Sequence, residues 1–244
     1  MSEKSINILH LYPDLLNLYG DLGNISALEK RLIWRGFDVT IKKCTIQEPK
    51  IDISSADIIY LGGGSDREQE IVCQELLKYK AEILDYVEND GVLIATCGGY
   101  NMLCKYYEAN NSRVEGLGIL DIETKTNEKR LIGDIMLEFD GIETPVIGFE
   151  NHAGIIEIGD YKPFGKVVSG FGNNLVDDTE GIIYKNLFAT NLHGPLFPKN
   201  PKLCDYILSI ALKKKYSDFD ALSYLDDALE NQANEYMKKR IFGK

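Results

Sequence analysis

The 244-residue chain has no surplus of positive charge: 27 Lys and Arg stand against 38 Asp and Glu, a formal net charge of −11. So acidic a chain is a poor fit to a phosphate backbone, and nucleic acid is not expected as a partner. No apolar run is long enough to cross a bilayer, and Met1-Ser-Glu-Lys-Ser-Ile6 has no signal-peptide core. The expectation is a cytoplasmic protein that does not span the membrane. Cysteine is sparse: Cys44, Cys73, Cys97, Cys104 and Cys204 are an odd count, scattered, with no C-x-x-C pair and no histidine at ligand spacing. Neither a disulfide framework nor a metal site is indicated. Also missing are a G-x-x-x-x-G-K-[ST] phosphate loop and a G-x-G-x-x-G dinucleotide turn.

What the chain does have is Gly91-Val-Leu-Ile-Ala-Thr-Cys-Gly-Gly-Tyr100. Residues 92–95 are a short uncharged apolar run, Cys97-Gly-Gly99 is a turn, and residues 101–107 can continue as a helix. A cysteine on such a turn stands at the tip of a strand with its sulfur exposed, the arrangement of a nucleophile elbow. The N–H groups of the following turn and the positive end of the helix favour thiolate over thiol there. Free cysteine is usually a buried, inert residue, but no ordinary core position needs two adjacent glycines. Cys97 is the candidate nucleophile.

Strand patterns at 6–12, 37–41 and 57–61 alternate with helical spacing at 24–35 (Ile25, Leu28, Leu32) and 67–89 (Ile71, Leu76, Ile83, Val87). Such alternation predicts an α/β fold, a parallel sheet with right-handed crossovers. In such sheets functional loops gather at the carboxyl ends of the strands. Gly62-Gly-Gly64 follows the third strand as Cys97-Gly-Gly99 follows the next, so both turns should open on one edge. A triple glycine is either a flexible turn or a backbone that approaches a ligand and offers N–H groups to an oxyanion; beside Cys97 it becomes an oxyanion-hole candidate.

Past residue 107 the chain turns polar and Gly-punctuated, with short strand-like runs at 132–139, 144–149 and 154–158 that suggest an antiparallel, mixed half. Apolar strands resume at 181–184 and 187–190 and end in Asn191-Leu-His-Gly-Pro-Leu196. His193 thus sits at a strand end, as a general base toward the thiol or as the cationic half of a thiolate–imidazolium pair. His152, between two runs, reads equally as a packed or a working histidine, and His10, inside the first strand, as a core residue. Residues 201–215 form a helical pattern with a basic last turn. Residues 221–241 carry a thin apolar stripe that suits either a solvated helix or a partner-binding one.

Taken together, Leu61-Gly-Gly-Gly-Ser-Asp66, Thr96-Cys-Gly-Gly-Tyr100 and Thr190-Asn-Leu-His-Gly-Pro195 resemble the class I glutamine amidotransferases, and specifically the cobyric-acid-synthase-like branch. Within it, His10-Leu-Tyr-Pro-Asp14, Arg130-Leu-Ile-Gly-Asp134, Gly148-Phe-Glu-Asn-His-Ala-Gly154 and Tyr184-Lys-Asn186 are similar to the free-standing amidotransferase subunits that act on lipid II beside a Mur-ligase-like partner. The resemblance implies a flavodoxin-like fold, a central mostly parallel sheet with an antiparallel extension and helices on both faces. It places the amidotransferase domain at residues 1–215, followed by a helical tail at 216–244. It further implies that Cys97 attacks the side-chain amide of L-glutamine, His193 activates it, N–H groups near Gly63 and Gly98 hold the oxyanion, and Arg130 holds the α-carboxylate. No cofactor is implied for this chain; ATP and Mg²⁺ would belong to the partner of a heterodimer. Most of the class carry a glutamate two residues after the histidine to orient it; here that position is Pro195. The orienting acid is then expected from the partner, with Glu150 as the internal competitor. Rival readings are an amidotransferase for another acceptor such as a cobyrinate-type macrocycle, a non-catalytic relative, and a different Cys–His hydrolase.

Overall fold

The first half of the chain alternates strand and helix as its periodicity predicts: β1 (Ser5–Leu11), α1 (Leu22–Ile33), β2 (Asp38–Cys44), β3 (Ile58–Leu61), α2 (Asp66–Leu76), α3 (Lys80–Glu88), β4 (Val92–Thr96) and α4 (Gly98–Leu103). The second half is strand-rich, with β5 (Cys104–Ala109), β6 (Ser112–Glu115), β7 (Leu120–Glu138), β8 (Val146–Ile156), β9 (Gly165–Ser169), β10 (Thr179–Glu180), β11 (Ile182–Tyr184) and β12 (Leu187–Thr190). Helices α5 (Leu196–Lys199), α6 (Pro201–Lys215) and α7 (Ala228–Phe242) close it. These elements come from a computed structural model that describes residues 4–47, 50–109 and 112–243.

The strands form two sheets. The first has the order β11-β12-β4-β3-β1-β2, parallel throughout except for β11, which extends it antiparallel at one edge. Every residue of β3, β4 and β12 is buried, because strands flank each of them and layers cover both faces. Ile6, Ile8, Ile58, Tyr60, Val92 and Ile94 pack beneath α1 and α6. Leu9, Leu11, Ile59, Leu61, Leu93 and Ala95 face α2, α3 and part of the second sheet. That second sheet, ordered β10-β9-β7-β5-β6 with β8 also on β7, is antiparallel at every pairing except β5 with β7, which run parallel.

Three stretches depart from the periodicity. Residues 104–107 leave the helical pattern after Leu103 and enter β5, where the β-favouring Tyr106-Tyr107 pair finds β6 on one side and β7 on the other. The polar run through residues 123–131 is part of the single long strand β7, whose register with β8 shifts between Thr126 and Leu131. Asn151-His-Ala-Gly154, expected between strands, lies within β8, with His152 opposite Leu131 and Gly154 opposite Thr126. All four residues line a cleft, so the apolar pattern of a core strand is absent.

The tail helix begins seven residues later than its stripe suggests, at Ala228. The preceding segment spends its polar groups on α1 instead: Arg31 binds Asp227 at 2.6 Å and Arg35 donates to the Ser223 carbonyl at 2.7 Å.

Candidate active site

Strand β4 delivers Cys97 to the carboxyl edge of the first sheet, and the turn that follows is sharp: Cys97 has φ +51° and ψ −108°. A non-glycine residue held there stores backbone strain, a feature of functional elbows. The adjacent glycines are explained by close approach. A Cβ on Gly99 would lie 2.4 Å from the Leu61 carbonyl oxygen, and one on Gly98 would lie 2.6 Å from Cδ of Gln69, whose amide donates to the Gly64 carbonyl at 2.8 Å. Gly63 is less crowded but still tight, since a Cβ there would come within 3.1 Å of Cys97 Cβ.

The electrostatics run against the thiolate expected from the sequence. Burial pushes the Cys97 thiol up to about 12, and the Asp21 charge adds to this; the Gly98 N–H and Arg130 pull the other way and do not prevail. Helix α4 has only six residues, so little dipole stands behind the sulfur. Asp21 is itself buried and raised by that burial. Its carboxylate accepts the Tyr60 hydroxyl at 2.6 Å, the Thr96 hydroxyl at 2.9 Å and the Gly63 N–H at 3.2 Å. The N–H nominated for an oxyanion is thus committed to Asp21 in this structure.

His193 arrives on the same edge through β12. Thr190 pairs with Thr96, and its carbonyl accepts the Cys97 N–H at 2.8 Å. Three residues on, His193 exchanges two backbone hydrogen bonds with Phe149 of β8, at 2.8 and 3.3 Å, so the histidine links the two sheets. The imidazole is buried, Nε2 has no hydrogen-bond partner, and the ring stands 4.3 Å from that of Tyr19. Burial lowers its pKa to about 3, with His152, Arg130 and Lys199 adding to the effect. Among the described residues no carboxylate oxygen lies within 4.0 Å of its ring nitrogens. Glu150, the internal competitor, is turned elsewhere: it accepts the Phe171 and Gly172 N–H groups at 2.7 and 3.1 Å and lies 3.6 Å from His152 Nε2.

A cleft of about 580 Å³ opens over Cys97, lined also by Tyr19, Asp66, Asn101, Glu108, Arg130 and His152. Arg130 enters it from the irregular stretch of β7, and register shifts are a common way of re-aiming a side chain. Its guanidinium is held by Asn151, through Oδ1 at 3.0 Å and the carbonyl at 2.9 Å, and meets no carboxylate among the described residues. The structure therefore brings Cys97 and Arg130 to one cleft, while Gly63 and Gly98 pack against Cys97 and Gln69 without lining it. His193 stands behind Tyr19, which lines that cleft. Roomier grooves of about 720 and 1150 Å³ lie elsewhere and contain neither cysteine nor histidine.

Sequence reasoning missed Asp21, Tyr19 and Glu180. Asp21 and Tyr19 sit in a loop with no periodic signal, and Glu180 in a two-residue strand that carries no local sign of its burial. His152, left open above, bonds the Gly154 carbonyl through Nδ1 at 2.9 Å. His10 is a fully buried core residue edge-on to Tyr60, as expected.

Residues 7–201 match the CobB/CobQ-like glutamine amidotransferase domain family. The chain is a member of that family. Its relatives include the GatD subunit of glutamine-hydrolysing lipid II isoglutaminyl synthase from Staphylococcus aureus (strain N315), 41% identical over 96% of both chains. The GatD subunit from Streptococcus pneumoniae (strain ATCC BAA-255 / R6) is 41% identical over 95% of this chain and 90% of its own. Among solved structures, a glutamine amidotransferase aligns with a TM-score of 0.59 at 18% identity, covering 83% of this chain and 98% of its own. Another, from Thermotoga maritima, aligns at 0.54 and 13%, covering 98% and 94%. These two share the fold of this amidotransferase, a class I α/β architecture.

Proposed function

We propose that this amidotransferase is the glutaminase subunit of a lipid II isoglutaminyl synthase, and that the placement of Cys97 carries the reading. Its strained elbow opens into the cleft that holds Arg130, a cation with no carboxylate of its own among the described residues. Arg130 pairs with the α-carboxylate of L-glutamine. Cys97 sulfur attacks the side-chain amide carbon, and the tetrahedral oxygen is met by N–H groups near Gly98 and Gly63, the latter after release from Asp21. His193 takes the thiol proton and gives it to the departing ammonia. The γ-glutamyl thioester left on Cys97 is cleared by water as glutamate.

A thiol near 12 and an imidazole near 3 make a poor nucleophile–base pair. A carboxylate brought to His193 would raise the basicity of the imidazole. We assign that carboxylate to the partner, a Mur-ligase-like MurT subunit in a heterodimer, since Pro195 replaces the usual glutamate and Glu150 is committed to Phe171, Gly172 and His152. The partner would use ATP and Mg²⁺ to activate the α-carboxylate of D-glutamate in the lipid II stem peptide, and ammonia would pass to it directly. The 41% identity to two GatD subunits across nearly the whole chain supports this acceptor over a cobyrinate-type macrocycle.

The test is peptide mapping by mass spectrometry after exposure to a diazo-ketone glutamine analogue, on wild type and Cys97→Ala, with and without co-expressed MurT-like partner. The expected result is a label confined to Cys97 and formed faster with partner. A folded complex with no label at Cys97 would overturn the reading in favour of a different Cys–His hydrolase. Strong glutaminase activity of the free chain, abolished by Glu150→Ala without loss of fold, would overturn the partner-supplied acid.

A further inference from the structure

Glu180 ends β10, where the chain leaves the second sheet for the first. The crossing is made by Gly181 at φ +59°, and a Cβ there would lie 2.2 Å from the Ala189 carbonyl oxygen. Strand β12 is therefore pressed against the crossing, and the Glu180 side chain is fully buried beside it. Its Oε1 accepts the Asn191 N–H at 2.6 Å, and its Oε2 accepts the Thr190 hydroxyl at 2.8 Å. Thr190 Oγ1 in turn accepts the Leu192 N–H at 3.1 Å. The carbonyl of the same Thr190 accepts the Cys97 N–H at 2.8 Å. One carboxyl group thus holds the bend of residues 190–192 that seats the elbow on one side and leads into His193 on the other.

From this geometry we infer that Glu180 is a positioning residue for the Cys97–His193 pair; the inference rests on the reading of those two side chains given above. A carboxyl group taken wholly out of water is costly unless hydrogen bonds satisfy it, and every hydrogen bond of Glu180's side chain goes to this bend. Burial raises the group to about 8, with Glu150 adding to the effect. At neutral pH it therefore carries a proton most of the time. A protonated carboxyl accepts the Asn191 N–H through one oxygen and shares a proton with the Thr190 hydroxyl through the other, so the grip does not depend on charge.

That property sets the test, made on the complex with its MurT-like partner. Glu180→Gln keeps an acceptor for Asn191 and a donor for Thr190 and is expected to retain most of the wild-type kcat for glutamine. Glu180→Ala is expected to lower kcat on the order of 10- to 100-fold, the scale of a small misplacement of catalytic groups. KM should stay within about twofold, since Arg130 is untouched. Thr190→Val, a milder change available if Glu180→Ala does not fold, should lower kcat in the same sense. Alkylation of Cys97 by iodoacetamide, which needs no glutamine, is followed in parallel and is expected to change in Glu180→Ala but not in Glu180→Gln. Wild-type kcat and alkylation in folded Glu180→Ala or Thr190→Val, a change in KM alone, or a loss in Glu180→Gln as large as in Glu180→Ala would each overturn the inference. Failure of the wild-type complex to turn over glutamine would overturn the reading of the site instead, and the alkylation rates would then decide the positioning role.

Discussion

At the scale of single residues, the elbow depends on absent side chains as much as on the sulfur. Gly99→Ala places a Cβ 2.4 Å from the Leu61 carbonyl, a backbone atom that cannot step aside cheaply. Overpacking of this kind costs about 1–3 kcal/mol, so the melting temperature should fall by several degrees in a chain of this length. An unchanged Tm in calorimetry would contradict the close packing of α4 on β3. His10 offers a second prediction. Both its ring nitrogens are buried without partners, and burial, aided by the Lys43 charge, lowers its pKa from 6.5 to about 4. Between those values the unfolded chain binds the extra proton, so stability is complete above about pH 6.5 and is lost as pH falls toward 4. The linkage is worth on the order of 3 kcal/mol. His10→Phe should flatten the acid limb over that window, as read from urea midpoints against pH; His193, neutral down to about 3, would keep part of the slope.

At the scale of elements, the strongest stitching lies at the start of α6. Asn200 accepts the Ile147 N–H at 2.8 Å and donates to the Ile147 and Leu196 carbonyls at 2.7 Å each, tying β8 to the turn that follows His193. Asn234 of α7 adds bonds to the Pro145 and Lys199 carbonyls at 3.2 Å, so the tail helix braces the same junction. Asn200→Ala leaves three buried backbone groups unpaired and should cost about 2 kcal/mol or more, seen as a lower urea midpoint with an unchanged m-value. The elements legible in the sequence were those whose packing imposes a period. Helix α1 shows its stripe because Ile25, Leu28 and Leu32 all bury against one sheet face, and β4 shows an apolar run because both faces are covered. Strands β5, β7 and β8 were blurred because they carry the cleft: Arg130, Asn151 and His152 face it, and polar residues there erase the alternation. Cys97 was legible because its elbow needs glycines. Asp21 and Glu180 were not, because their roles come from hydrogen bonds across 42 and 11 positions of chain that no local pattern records.

For the whole molecule, the free chain holds its proposed nucleophile and base neutral between about pH 3 and about 12. Thiolate content should therefore climb with pH without levelling off near the ordinary thiol value of about 8.5. Alkylation of Cys97 in the free chain is expected to rise steadily from about pH 6 to 10, and partner binding should move that rise to lower pH. A plateau below about pH 8 in the free chain would contradict the buried, protonated resting state. On the proposed reading, the partner's task is to supply the acid that His193 lacks and to free the Gly63 N–H from Asp21. Burial of the sulfur has a further consequence. Oxidation by peroxide proceeds through the thiolate and tracks its exposure, so the mostly buried, protonated Cys97 is expected to resist irreversible over-oxidation in the free chain. If the proposed partner activates Cys97, the free chain is expected to keep its Cys97 thiol under hydrogen peroxide longer than the complex does, as read by mass spectrometry of the cysteine peptide.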